Sequence, residues 1–173
     1  MSSIPESTAV ASGNLRPLML KPQEERRLQA GHLWIFSNEV NVAATPLTGF
    51  TPGEHVQVRS SHDRFLGYAY VNPRTLISAR LLGRDPDYPP GKSLLVHRFK
   101  VALAMRERLY AAPFYRLAFG EADLLPGLVV DRYGSVLVAQ IGTTGMEAMK
   151  DDILEALVKV LDPEAVLWKN DSS

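Results

Sequence analysis

Three carboxylates crowd one short stretch, GEADLLPGLVVDRYG, from Gly120 to Gly134: Glu121, Asp123 and Asp131. Paired carboxylates can supply a general acid and a general base when their surroundings push their pKa values apart. A hydrolase using Glu121 and Asp123 is one reading of the stretch. The simpler one is structural. Asp123 and Asp131 flank a Pro126-Gly127 turn, and aspartates beside turns commonly accept backbone N–H bonds. No histidine, metal motif or cofactor loop lies close by in sequence to complete a mechanism.

Other catalytic patterns are weaker still. Gly91-Lys92-Ser93 carries the last letters of a phosphate loop, but DYPP stands upstream where the first glycine belongs. Ile141-Gly142-Thr143-Thr144-Gly145 follows an apolar run as a cofactor loop would. A capping box from Thr144 to Glu147 explains it without a ligand. His32, His55, His62 and His97 are scattered, so no metal site is predicted. The chain has no cysteine, which excludes disulfides, thiolate metal sites and a thiol nucleophile. No serine sits in a Gly-x-Ser-x-Gly elbow.

Basic residues mixed with aromatics point to nucleic acid instead. Lys21, Arg26, Arg27, His32, Arg74 and Arg80 are the candidate RNA-binding residues, with Arg84 and Trp34 beside them. Guanidinium groups bind phosphate through two parallel bonds, and rings stack on unpaired bases. Arg26 and Arg27 are adjacent on a short predicted helix and cannot both be buried. Trp34 lies in the apolar run HLWIF and reads as core. Charge supports the same end of the chain. Residues 1–116 carry 15 Lys+Arg against 9 Asp+Glu, and residues 117–173 carry 4 against 10. A polyanion is therefore expected on the first half.

The elements that must position these groups fall into two sets. Leu15 to Lys21, His32 to Phe36, His55 to Arg59, Arg64 to Val71 and Leu76 to Leu82 read as short strands, with one helical turn from Glu24 to Ala30 closed by Gly31. Close-spaced strands with one small helix describe a compact β-barrel. GRDPDYPPG, Gly83 to Gly91, is rich in proline and glycine and reads as a linker. Beyond it the period turns helical. Leu95, Phe99, Ala102 and Leu109 share one face of a helix from Leu94 to Tyr110. Strands follow at Tyr115 to Phe119, Leu128 to Asp131 and Val136 to Ile141. A helix to Leu161 carries Met146, Met149, Ile153, Leu157 and Val160 on one stripe, and Glu155 and Lys159 are spaced to pair one turn apart. Ala165 to Lys169 is a last strand.

The expected organisation is a disordered tail over 1–14, an RNA-binding barrel over 15–84, a linker over 85–92 and an α+β unit over 93–173. No run is long enough to cross a bilayer, and the N-terminus lacks the pattern of a signal peptide. A cytoplasmic location is expected.

Three stretches carry a family resemblance. LKPQEERRLQAGHLWIFSNEV, Leu20 to Val40, is similar to the start of a PUA-type RNA-binding domain, and YVNPRTLISARLL, Tyr70 to Leu82, to its end. Gly120 to Gly134 resembles the central region of the same proteins. These are the PUA-containing, S-adenosylmethionine-dependent ribosomal RNA cytosine-C5 methyltransferases (RlmI-like). The resemblance implies the fold class α+β: a PUA-like barrel, then an α+β central domain that braces it, with the Rossmann-like methyltransferase domain absent from this chain. It implies large-subunit ribosomal RNA and that methyltransferase domain as partners, with no membrane; a homodimer is compatible. S-adenosylmethionine is implied for the full-length parent and no cofactor for this chain. In the family a cysteine attacks C6 of cytosine. No family catalytic residue carries over, because this chain has no thiol. A stand-alone PUA-type RNA-binding or adaptor protein is the alternative.

Overall fold

The computed structural model describes residues 15–169. The tail expected over 1–14 lies outside them, as do residues 170–173 at the end of the second unit.

The first half is a five-stranded sheet in the order β1-β3-β4-β5-β2: β1 (Pro17–Met19), β2 (Trp34–Phe36), β3 (His55–Arg59), β4 (Phe65–Val71) and β5 (Ile77–Gly83). β1 runs parallel to β3, with Leu18 opposite Val58, and the other pairings are antiparallel. The two outer strands meet again just past their ends. Leu20 bridges to Val40, Lys21 N–H donates to the Glu39 carbonyl at 2.9 Å and Asn41 N–H to the Met19 carbonyl at 2.8 Å. These bonds satisfy edge groups that an open sheet leaves to solvent and curl the sheet toward a barrel. Strand alternation sends Val56, Val58, Ala69, Val71, Ala79 and Leu81 inward, where Leu28 of α1 (Glu25–Gln29) joins them.

The second half packs three helices on one face of a four-stranded sheet. α2 (Lys92–Leu109) precedes β6 (Phe114–Phe119), β7 (Leu128–Tyr133) and β8 (Val136–Ile141), an antiparallel meander. α3 (Thr144–Ala148) and α4 (Lys150–Leu161) then cross over to β9 (Ala165–Trp168), which pairs parallel to β8. A parallel pair needs such a crossover, so this is a βαβ unit. Leu95, Phe99 and Ala102 of α2 and Ile153, Ala156 and Leu157 of α4 form a core with Leu117, Leu128, Val130 and Ala139 of the sheet.

Four details differ from the residue patterns. Leu109 is exposed rather than buried with Phe99, because it ends α2 beyond the sheet. The hydroxyl that caps α3 belongs to Thr143, which accepts the Met146 N–H, and not to Thr144. The long helix breaks at Met149 into α3 and α4. Glu155 pairs with Lys92 at 2.6 Å rather than with Lys159, since α2 packs beside α4.

Two strands join the cores: β4 through Tyr70 and β5 through Leu82. In β4, Ala69 and Val71 face the barrel, so Tyr70 must face outward. Its ring is fully buried in the core of the second half. No described helix is long and apolar enough to cross a membrane.

Candidate nucleic-acid interface

A groove of about 1380 Å³ runs between the barrel and the second sheet. Phe36, Leu76, Ile77 and Arg80 line it on the barrel side. Phe119, Glu121, Val129, Gln140, Thr143, Glu147 and Lys169 line the other side. Behind the groove residues Gly127 and Thr143 lies the buried Tyr70. The Tyr70 hydroxyl donates to the Pro126 carbonyl at 2.9 Å and accepts from the Thr143 hydroxyl at 3.0 Å. Gly127 follows Pro126 with φ of 86°, and a Cβ there would overlap the Thr143 side chain. The Pro-Gly turn therefore lets the two loops close on the phenol.

Burial pushes the Tyr70 phenol up to about 12, against smaller opposing effects from Thr143 and Arg80. The folded state thus holds this proton more tightly than the unfolded chain, whose phenol titrates near 10. Its contribution is complete below about pH 10 and is lost as pH rises from there to about 12. We expect Tyr70→Phe to remove a tyrosinate signal that grows in near pH 12. A wild-type minus Y70F difference titrating near pH 10 would refute the burial.

The three carboxylates do not assemble an acid and a base. Asp123 takes two bonds from Arg106, at 2.7 and 2.6 Å, and the Phe119 N–H at 2.7 Å. Asp131 takes two from Arg116, at 2.8 and 3.2 Å. Glu121 accepts the Trp34 indole N–H at 2.7 Å and lies 3.9 Å from the Arg80 guanidinium. Each carboxylate is committed to a different cationic side chain. Asp123 does accept a turn N–H, but for Asp131 the organising partner is an arginine, not backbone. Among the described residues there is no group of three or more acidic, histidine or cysteine side chains able to hold a metal.

The basic candidates all belong to the barrel half and differ in their partners. Lys21 is exposed and donates to the Asn38 carbonyl at 2.7 Å. Arg26 projects from α1 into solvent. Arg27 bonds Glu39 at 2.7 Å and lies 4.8 Å over the Phe36 ring. His32 is exposed, and its carbonyl accepts from Arg84 at 3.1 Å. Arg74 is exposed in the β4–β5 turn, beside the groove residues Asn72 and Thr75. Arg80 stands on β5 opposite Trp34 of β2. Arg27, Phe36, Trp34 and Arg80 thus follow one another toward the groove.

Trp34 corrects the reading from its apolar neighbours. It is 39% exposed, whereas Ile35 beside it is fully buried. A three-residue strand shows only one inward position, and Ile35 takes it. Phe119 and Lys169 belong to no sequence motif, and Thr143 belongs only to the run that reads as a helix cap. Their signal is weak, because the groove unites residues far apart in the chain.

Residues 18–84 match the family model of a PUA-like domain. The chain is 35% identical over 159 residues to ribosomal RNA large subunit methyltransferase I of Shewanella frigidimarina, covering 89% of this chain and 39% of that protein. The same-named protein of Erwinia tasmaniensis is 32% identical over 163 residues, with 90% and 39% covered. The chain thus spans about two fifths of the length of these relatives. Two solved structures share the fold at 18% identity, covering 92% of this chain and 44% of their own. One is described as a methyltransferase complexed with SAH, with a TM-score of 0.73; the other, from Streptococcus mutans, as a SAM-dependent methyltransferase, with a TM-score of 0.72.

These overlays correct the expected fold class. A barrel and an α+β unit standing apart from any methyltransferase fold is what the missing glycine loop and cysteine suggest. Instead, methyltransferase structures cover nearly the whole chain, second sheet included. The fold is carried by strand order and the parallel β8–β9 crossover, which local motifs do not reveal.

Proposed function

We propose, for a chain that carries a PUA-like domain and is related along most of its length to the ribosomal RNA large subunit methyltransferases, that it holds RNA for methylation. The substrate class is large-subunit ribosomal RNA, the methyl donor of the whole enzyme is S-adenosylmethionine, and the compartment is the cytoplasm. The observation that carries this reading is the Trp34 indole. It is exposed on a PUA-like barrel, fixed at its N–H by Glu121, and set between Arg80 and the Arg27–Phe36 stack. A half-exposed ring held from one edge keeps a face free for an unpaired base, and the neighbouring guanidinium groups meet phosphate.

The division of labour follows from the side chains present. Lys21, Arg26, Arg27, His32, Arg74 and Arg80 hold the RNA, over a barrel spanning about 15–84. Attack on a pyrimidine ring carbon needs a strong nucleophile, and this chain supplies no thiol. Its own residues therefore bind and orient rather than attack, and it is expected to transfer no methyl group by itself.

RNA affinity is expected to fall steeply with salt, as phosphate contacts release counterions. Arg26 and Arg74 are exposed, so Arg26→Ala with Arg74→Ala chiefly tests their charge. The pair should weaken RNA binding by roughly tenfold at low salt and reduce the salt slope by about 1–2. Binding that ignores salt, or none at low salt, would sink the proposal.

A further inference from the structure

The second sheet is covered by helices on one face only. On the other face its strands set three cross-strand rows. Phe119, Val129 and Gln140 form one; Arg116, Asp131, Val138 and Leu167 the next; Phe114, Tyr133 and Val136 the third. A bulge between Arg116 and Ala118 turns Leu117 and Ala118 both inward and returns Phe119 to this open face. Phe119 is 55% exposed, Tyr133 56% and Phe114 64%. The Arg116 guanidinium lies 5.2 Å over the Phe119 ring. At about 3.3 Å per residue, Phe114 and Phe119 stand roughly 16 Å apart along β6.

This face is continuous with the groove, because Phe119, Val129 and Gln140 belong to both. Across the groove stands the barrel's own stack of Arg27 over Phe36. The acidic balance of the second half does not oppose an anion here. Asp151, Asp152 and Glu155 lie on α4, on the far side of the sheet. Among the described strand residues the carboxylate on the open face is Asp131, and it is neutralised by Arg116.

We propose that this open face is a stacking platform for single-stranded RNA, with an unpaired base on Phe119 and further bases toward Tyr133 and Phe114. A strand leaving the barrel passes through the groove and onto the second sheet. Aromatic rings accept the π-face of any base, and an arginine beside them adds attraction to ring and phosphate alike. A dry protein partner fits less well, since it would strip water from the Arg116–Asp131 pair and Gln140 in the middle of the patch. The inference rests on the RNA-holding reading above and extends it to the second half.

The test is fluorescence anisotropy with a labelled single-stranded oligoribonucleotide and a blunt RNA duplex, on the intact chain. Phe119→Ala, and separately Phe114→Ala with Tyr133→Ala, should weaken single-strand binding at least about fivefold while leaving duplex affinity and salt slope unchanged. Phe119→Trp should restore it. The thermal midpoint should not move, because these rings are exposed. If the platform variants bind single strands like wild type while the Arg26/Arg74 variant does not, the platform is overturned and the barrel reading stands. If wild type binds no RNA, both fall. If Phe119→Ala instead dissociates a dimer without changing RNA affinity per protomer, the face belongs to a second copy and the proposal is wrong.

Discussion

Asp123→Ala is expected to destabilise the protein by about 3–5 kcal/mol, enough to threaten folding at ordinary temperatures. The side chains of Arg106 and Asp123 are only 15% and 7% exposed. Their two parallel bonds, 2.7 and 2.6 Å, form a fork that lysine could not reproduce. The pair ties α2 to the 3-10 turn at Gly120–Asp123, and Arg106 also donates to the Arg116 carbonyl on β6. Removing the carboxylate leaves a guanidinium largely out of water with one neutral acceptor. It also frees the Phe119 N–H. The cost is the uncompensated charge, not the value of the pair itself. Arg106→Met with Asp123→Leu, which removes both charges, should therefore recover most of the loss. Denaturant unfolding of the three variants checks this. A double variant as unstable as the single one would show that shape, not charge, governs the site.

The same residues show what could be read from sequence and what could not. α2 was legible because Leu95, Phe99 and Ala102 repeat at helical spacing and all face one sheet. β5 was legible because Ala79 and Leu81 alternate into the barrel core. Gly31 and the Pro126-Gly127 turn were legible because both glycines take positive φ, 103° and 86°. Local periodicity failed where the decisive partner is remote. Glu121 is held by Trp34, and Tyr70 by Pro126 and Thr143, across 87, 56 and 73 positions of chain. No window of sequence contains such pairs. Glu121 therefore looked like a possible acid or base, and Trp34 like core, until each was seen to satisfy the other. The second sheet escapes local patterns for a related reason. Parallel pairing of β8 with β9 is set by the right length of helix between them, not by any motif. The open face was written in β6 as Phe114, Arg116 and Phe119, but the bulge breaks the alternation that would have displayed it.

The charge imbalance takes on a different meaning once the faces are known. A basic front and an acidic back suggest that RNA touches only the barrel. The acidic residues of the back are not spread evenly. Asp123 is locked to Arg106 and Asp131 to Arg116, and α4 carries Asp151, Asp152 and Glu155 behind the sheet. Among the described residues, only Glu121 and Glu147 bring a carboxylate to the groove. Glu121 is already bonded to an indole and faces Arg80; Glu147 is 3.5 Å from Lys150. The path from the barrel to the platform is thus close to neutral, and stacking rather than Coulomb attraction has to provide its affinity.

Gly145→Val is expected to be as damaging as Asp123→Ala, for a purely steric reason. Gly145 is buried in α3 with its Cα against the Tyr70 ring, and a Cβ built there would fall among Cγ and the two Cδ atoms of that ring. The ring has nowhere to go. It is fully buried, and its hydroxyl is held at both Pro126 and Thr143. In an ordinary helix position glycine-to-alanine stabilises by up to about 1 kcal/mol, because glycine has more backbone freedom to lose. Here overpacking of about 1–3 kcal/mol for alanine, and more for valine, outweighs that gain. Valine should cost at least 3 kcal/mol, lowering the melting midpoint by roughly 6–12 °C. It should also part the barrel from the second sheet, since Tyr70 is the barrel side chain buried deepest in the other core. Gly142→Ala is the matched control. It lies three residues earlier, between β8 and α3, and its Cβ would meet only the Gly127 carbonyl at an ordinary 3.7 Å. Calorimetry should show Gly142→Ala close to wild type and Gly145→Val far below it. Equal melting of the two would mean that the seam between the units does not depend on this contact, and with it the position of the groove would be in question.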